Sequence, residues 1–310
     1  MKIAVMGSGG IGGYLGGKLA AAGGNVTFIA RGAHMEAIRH QGLCIRGVEN
    51  LHIADVRVTD TPAEIGEVDA VLFCVKLYDT GAAARAIVPI VGANTAVLTL
   101  QNGIESVREV GAVVGSDAML GGAAYFPANI TAPGEVTYLG KIATRPHVAF
   151  GEPGGGDSKR VQALLAACRA ADIMADGCTD TDLVLWEKFL LIAGISAATS
   201  ATRCAVGVVR SDTDMRWLLR EGIVEAVRVG RGAGVEFGAN VVDDVLATLD
   251  ANPADGKASQ LVDLENGRRL ELEGLSGAVV RLGRKFGVPT PVHATVYAAL
   301  KPFRDGRTED

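Results

Sequence analysis

The sequence predicts an α/β protein in which an N-terminal doubly wound parallel sheet is followed by a mostly α-helical C-terminal domain. Three observations predict this. Short apolar runs alternate with helical stretches through the first half. One of them, Ala70-Val71-Leu72-Phe73-Cys74-Val75, is apolar at every position, the pattern of a strand buried on both faces of a parallel sheet. After Cys178 the strand signal largely stops, and helical periodicities follow one another to the end.

Taken in order, residues 3–6 read as a strand, 10–22 as a helix, 26–30 as a second strand and 33–41 as a short helix. Residues 70–75 and 96–100 are further strands, and 81–91 and 104–114 further helices. Strand–helix alternation with right-handed crossovers gives the doubly wound sheet. From 118 to 150 the pattern changes to short extended runs separated by Pro133-Gly134 and Gly140, which read as antiparallel strands finishing that sheet. Asp157 or Ser158 caps a helix running through Ala170, and 173–174 form a last short strand. The remaining helices are predicted at 182–202, 212–232, 241–249, 258–264, 272–286 and 291–303. Ser211 followed by Asp214 resembles a capping box, and Pro291 suits a first helical turn. With roughly 150 residues per domain as a guide, the chain divides into domains at 1–178 and 179–310. The polar tail from Arg304 to Asp310 is expected to fray.

Composition narrows the function. The 310 residues are 48% hydrophobic and 21% charged, with a net charge of −5 and mixed signs, so a nucleic-acid partner is not expected. No uninterrupted apolar run reaches the roughly 18 residues of a membrane helix, because Gly194, Ser196, Thr199 and Ser200 dilute the best candidate. The start of the chain runs into a glycine turn rather than a cleavage site. Five scattered cysteines without a C-x-x-C pair, and five histidines without H-x-x-x-H spacing, argue against disulfide and metal scaffolds. The histidines read as ordinary polar residues. A cytoplasmic, metal-independent protein is expected.

Gly7-Ser8-Gly9-Gly10-Ile11-Gly12 is G-x-G-x-x-G. The pattern is weak in isolation. Here it follows the first strand, opens a helix and leads to a second strand, which is the context of a Rossmann-type dinucleotide site. Gly7 allows the tight turn, Gly9 lets the backbone approach a pyrophosphate, and Gly12 permits close helix packing. The helix N-terminus supplies N–H groups and partial positive charge for phosphates. The second strand ends Ile29-Ala30-Arg31-Gly32, without the carboxylate that an NAD ribose would need. Arg31 is suited to a 2′-phosphate, which points to NADP. Other strand ends deliver Lys76 and Gln101-Asn102, where ligands of open α/β sheets bind, although polar residues end many strands without a function.

Lys188 is anomalous. Val184 and Leu185 precede it, and Leu191 and Ile192 follow it, at spacings that share one helical face. An ammonium on an apolar stripe either has its pKa lowered, which suits a general acid near neutral pH, or snorkels into water.

Taken together, Gly7–Gly12, Arg31, Val75-Lys76, Gln101-Asn102-Gly103, Pro133-Gly134-Glu135-Val136, Trp186-Glu187-Lys188 and the segment from Ser259 to Glu271 resemble the ketopantoate reductases, or 2-dehydropantoate 2-reductases, over nearly the whole chain. The resemblance implies NADPH-dependent reduction of a 2-oxo acid to a 2-hydroxy acid, in a cleft between the two domains. It implies that Lys188 protonates the carbonyl oxygen and that Glu271 hydrogen-bonds the substrate hydroxyl. Ser259 would contact the substrate carboxylate, Asn102 would sit at the strand end, and Arg31 and Lys76 would hold the cofactor. The family usually places asparagines four and eight residues after the lysine, where this chain has Ile192 and Ser196. That departure suggests a bulkier or more apolar oxo acid. The competing readings are a non-catalytic NADP sensor or regulator and a dehydrogenase for another hydroxy acid or an imine. The expected partners are a small 2-oxo acid and, as a candidate assembly, a second copy of the chain; pantothenate biosynthesis is the family's pathway.

Overall fold

The computed structural model describes residues 1–140, 142 and 145–307. The chain opens with β1 (Lys2–Met6), α1 (Gly10–Ala21), β2 (Asn25–Ile29), α2 (Gly32–Gln41), β3 (Leu43–Gly47), β4 (Leu51–Ile53) and β5 (Arg57–Thr59). It continues through β6 (Val68–Phe73), α3 (Thr80–Ile87), β7 (Val91–Thr99), α4 (Ser106–Val114) and β8 (Met119–Ala124). Then come β9 (Ala128–Ala132), β10 (Glu135–Tyr138), β11 (Val148–Gly151), α5 (Lys159–Ala170) and β12 (Ala175–Gly177). Helices α6 (Thr181–Thr202), α7 (Val206–Ser211), α8 (Thr213–Gly232), α9 (Val241–Asp250), α10 (Ser259–Glu265), α11 (Ser276–Phe286) and α12 (Pro291–Leu300) complete it. Packing divides the chain into two units, residues 1–101 with 105–184, and residues 102–104 with 185–310.

The first unit is built on an eight-stranded sheet in the order β12-β11-β8-β7-β6-β1-β2-β5. β1 pairs parallel with both β2 and β6, so the chain leaves β1 to one side and later returns to the other. That reversal of strand order puts the ends of β1 and β6 at the point where open α/β sheets bind ligands. Both faces are covered, which explains the continuous apolar runs. Ile3, Val5, Ala70, Leu72 and Leu98 pack with Tyr14 and Leu15 of α1 and Leu164 of α5. Their neighbours Ala4, Met6, Val71, Phe73 and Val97 pack with Ala83, Ala84 and Ile87 of α3 and Val110 of α4.

Not all of the 118–150 stretch finishes this sheet. β8 joins it parallel to β7, and β11 joins antiparallel to β8, but β9 and β10 leave it. They form a separate four-stranded sheet in the order β4-β3-β10-β9, with Cys44 opposite Glu135 in the parallel β3–β10 pair. This second sheet lies on α1. The Tyr14 ring stacks on Tyr138 with centroids 4.2 Å apart, and Lys18 pairs with Glu49 at 2.9 Å. Glycines let α1 sit between the two sheets. A Cβ at Gly16 would lie 2.6 Å from the Phe28 ring on one side, and one at Gly17 would lie 2.8 Å from Ile45 on the other.

Several local expectations give way to packing. The last short strand is at Ala175–Gly177 rather than 173–174, because Ile173 turns into the core and the Met174 backbone bonds to His147. The helix predicted from 104 starts at Ser106. The helix predicted from 272 starts at Ser276, since Leu272–Gly274 form a separate 3-10 turn. Asp212, not Ser211, caps α8: its carboxylate accepts from the Asp214 and Met215 N–H groups at 3.0 and 2.9 Å. The Ser211 hydroxyl instead donates to the Gly207 carbonyl, because Ser211 ends α7. The tail is pinned rather than frayed through Arg307, whose N–H donates to the Gly267 carbonyl, while 308–310 lie outside the described residues.

In the second unit, the core gathers Phe189, Leu190 and Ala193 of α6, Leu219 and Ile223 of α8, Leu249 of α9, and Val279 of α11. Helix α6 is long and apolar enough to cross a membrane by length and composition, but 67% of its most apolar window is buried within the fold. It is a core helix. Glu225 of α8 caps α12, accepting from the Val292 and His293 N–H groups at 2.7 and 2.9 Å. Among the described residues no cluster of His, Cys, Asp or Glu is placed to hold a metal ion.

Candidate active site

In the first unit, the turn after β1 has two kinds of glycine. Gly7 has φ +97°, and a Cβ there would lie 2.9 Å from the Val75 nitrogen, so both backbone conformation and the end of β6 demand glycine. Gly10 and Gly12 are forced by contact: a Cβ would overlap the Ala128 carbonyl at the first and the Gly7 carbonyl at the second. Gly9 is different. Its φ of −67° and ψ of −163° are open to any residue, and a Cβ there would meet nothing within 4 Å. Neither strain nor packing accounts for glycine at this position. Open space in front of a backbone that begins a helix suits an anion approaching the N–H groups of α1. Ser8 is buried and Ile11 packs on the core beneath the turn.

Arg31 lies beyond the end of β2 at the N-terminus of α2, exposed, with its guanidinium 3.7 Å from the Asp79 carboxylate. Lys76 is half-buried just past β6. Gln101 is buried, and its amide donates to the Val75 carbonyl at 3.0 Å and to Thr80 Oγ1 at 2.8 Å. Its side chain ties the ends of two strands together. His34, read from the sequence as an ordinary polar residue, spans two turns: the Gly134 N–H donates to Nδ1 at 3.0 Å, and Nε2 lies 2.9 Å from the Ser8 carbonyl oxygen.

The second unit holds Asn102, Lys188, Ile192, Ser196, Ser259 and Glu271. Lys188, Ile192 and Ser196 are spaced four apart along α6 and so share its face. Ile192 and Ser196 are buried. Burial strips water from the Lys188 ammonium and lowers its pKa from 10.5 to about 8. Glu271, also buried, follows Leu270 and precedes Leu272, which both pack with Ala197 of α6. Ser259 begins α10 and is exposed. The next residue, Gln260, is buried and donates to Ser200 Oγ of α6 at 3.4 Å; its amide oxygen has no hydrogen-bond partner among the described residues. Thus α10 and the 270–272 segment are both brought against the C-terminal half of α6, the helix carrying Lys188.

A sheet parallel from β8 through β5, with a glycine turn at its strand-order reversal, followed in the chain by a helical unit, is an architecture of the Rossmann class. The ketopantoate reductase PanE/ApbA family model matches residues 3–151, and its C-terminal counterpart matches residues 180–304. The chain belongs to the ketopantoate reductase family. A 2-dehydropantoate 2-reductase of Mesorhizobium japonicum is 32% identical, with 97% of each chain covered. Among solved structures, a PanE/ApbA family ketopantoate reductase from Ralstonia eutropha superposes with a TM-score of 0.89 at 28% identity, covering 98% of each chain. A 2-dehydropantoate 2-reductase from Geobacter metallireducens gives 0.90 at 27% identity, covering 97% of this chain and 99% of that one.

Proposed function

We propose that the protein reduces a 2-oxo acid to the 2-hydroxy acid using NADPH, with 2-dehydropantoate or a close, more apolar analogue as substrate. The observation that carries this reading is the Lys188 ammonium, desolvated on α6 with its pKa drawn down to about 8 in a chain of this family. The open backbone at Gly9 and the exposed Arg31 suit a dinucleotide with a 2′-phosphate. NADPH, when bound, supplies the hydride. Lys188 gives its proton to the carbonyl oxygen, so that no alkoxide has to form in a desolvated site. Glu271 accepts the hydrogen bond of the resulting hydroxyl, and Ser259 and Asn102 hold the carboxylate end. Ile192 and Ser196, buried on the Lys188 face, offer the acyl group a methyl-lined and a small surface in place of two amides. Such a site loses its discrimination against apolar groups, because fewer polar atoms would be left unpaired by them.

The test is NADPH oxidation over a panel of 2-oxo acids graded in size and polarity. Turnover with 2-oxo acids is expected, with the more apolar members favoured. Dinucleotide binding without turnover on any of them would point to a sensor.

The pH profile follows from the same lysine. A general acid works only while protonated, so kcat for reduction is expected to be flat below about pH 8 and to fall roughly tenfold per unit above it. Oxidation of the hydroxy acid should show the opposite limb, rising towards pH 8. A reduction rate that stays flat to pH 10 would remove Lys188 from the proton transfer.

Cofactor choice has a separate check. Arg31→Ala should lower the preference for NADPH over NADH at least tenfold, while KM for NADH changes less than threefold, because only the 2′-phosphate loses its charge-assisted partner. An unchanged preference would overturn the assignment of Arg31.

A further inference from the structure

We infer that His34 is a positioning residue for the dinucleotide: it holds the Ser8–Gly9 peptide so that its N–H, and not its carbonyl, faces the pyrophosphate. This rests on the nucleotide-binding reading above.

The geometry settles the state of the imidazole. The Gly134 N–H can only donate, so the Nδ1 that it meets at 3.0 Å is an acceptor. The ring proton therefore sits on Nε2, which donates to the Ser8 carbonyl 2.9 Å away. Both ring nitrogens are engaged on backbone groups, one at the hairpin turn between β9 and β10 and one in the glycine turn. In a trans peptide the C=O and N–H point in opposite directions. Fixing the Ser8 oxygen towards α2 therefore aims the Gly9 N–H away from α2. It also means that the carbonyl that would otherwise repel a phosphate is already satisfied.

The Ser8 carbonyl also lies against Gly13 of α1, but it is His34 that hydrogen-bonds it. Gly9 has no side chain, its backbone conformation is one open to any residue, and a Cβ there would touch nothing within 4 Å, so neighbouring atoms do not clamp the peptide from that side. The Gly9 carbonyl accepts the first helical bond from Gly13 at 2.6 Å, which fixes the next peptide and not this one. Flexibility where an anion must bind is a direct loss of affinity, since ordering the turn is then charged to the binding step.

Two variants separate the Ser8 contact from the hairpin contact. A glutamine amide nitrogen reaches about as far from the backbone as Nε2, and an asparagine amide oxygen about as far as Nδ1. His34→Gln therefore retains the donor to Ser8 and His34→Asn retains the acceptor for Gly134. NADPH affinity would be measured by fluorescence titration of the full chain, and KM and kcat by turnover. His34→Ala and His34→Asn are expected to weaken NADPH binding about tenfold, with kcat at saturating NADPH and KM for the oxo acid changed less than twofold. His34→Gln is expected to restore affinity to within threefold. Rescue by Asn and not by Gln would overturn the inference, because the hairpin contact would then be what matters. Unaltered NADPH affinity in the Ala and Asn variants would also overturn it, leaving the reductase reading intact. If the unmodified chain bound neither NADPH nor NADH, the nucleotide reading itself would fall and this inference with it.

Discussion

Lys188→Met is expected to slow turnover by roughly a thousandfold, the loss typical when a general acid is removed, while the variant binds NADPH as tightly as the unmodified chain and melts at a higher temperature. The two effects have one cause. Burial costs the ammonium part of its hydration, which lowers its folded-state pKa from an ordinary 10.5 to about 8. Each unit is worth about 1.4 kcal/mol, and discounting for the partial exposure of the residue leaves about 2 kcal/mol at pH 7. A methionine of similar length keeps the packing on α6 and carries no charge. The sign can be checked by pH. Between pH 8 and 10.5 the unfolded chain binds the lysine proton more readily than the folded one, so the stability of the unmodified protein gains on that of the variant across this window. Melting curves of both proteins at pH 7 and pH 10 measure it. A variant that is less stable at pH 7 would show that the interactions of the ammonium outweigh its desolvation, and one that retains turnover would show that Lys188 is not the proton donor.

Gly9→Ala and Gly10→Ala, adjacent and chemically identical, are expected to fail in opposite ways. At Gly10 the new methyl would overlap the backbone carbonyl of Ala128, which no rotamer change can relieve. Alanine gains about 1 kcal/mol in helix propensity, but displacing a strand of the second sheet costs about 3 kcal/mol or more. The clash wins, and a fall in melting temperature of several degrees is expected. At Gly9 the methyl enters open space from a backbone conformation alanine accepts, so stability should be unchanged within about 0.5 kcal/mol. There the loss falls on the ligand, with NADPH affinity down at least tenfold. Thermal denaturation and NADPH titration of both variants would distinguish the positions. Equal loss of stability in the two would mean that Gly9 is also a packing position.

These contrasts show where sequence reasoning had purchase. Strands buried on both faces announce themselves by unbroken apolar runs, as at 70–75, and the glycine turn is legible because strand, turn and helix are consecutive. β3, β4 and β5 carry no such signal. Two of them are three residues long, and Cys44 finds its partner Glu135 far along the chain, a pairing no local period encodes. The same distance hides His34, whose partners Ser8 and Gly134 lie 26 and 100 residues away. Ser211 and Asp212 show the opposite limit. Both are good caps by residue type, and the choice between them depends on where α7 happens to end. Lys188 was visible as a charge on an apolar stripe, but the sequence leaves it a choice between snorkelling and desolvation that only the folded surroundings decide.

Helix α1 carries five glycines in twelve residues, which weakens it by about 4 kcal/mol relative to an alanine helix. Such a segment is a poor nucleus and has little reason to persist before its neighbours close around it. The form of α1 and of the glycine turn before it is therefore set by the layers packed on both sides rather than by the helix alone. On the reading that this turn holds the dinucleotide, a copy with either layer disturbed is expected to lose coenzyme affinity while most of its secondary structure persists.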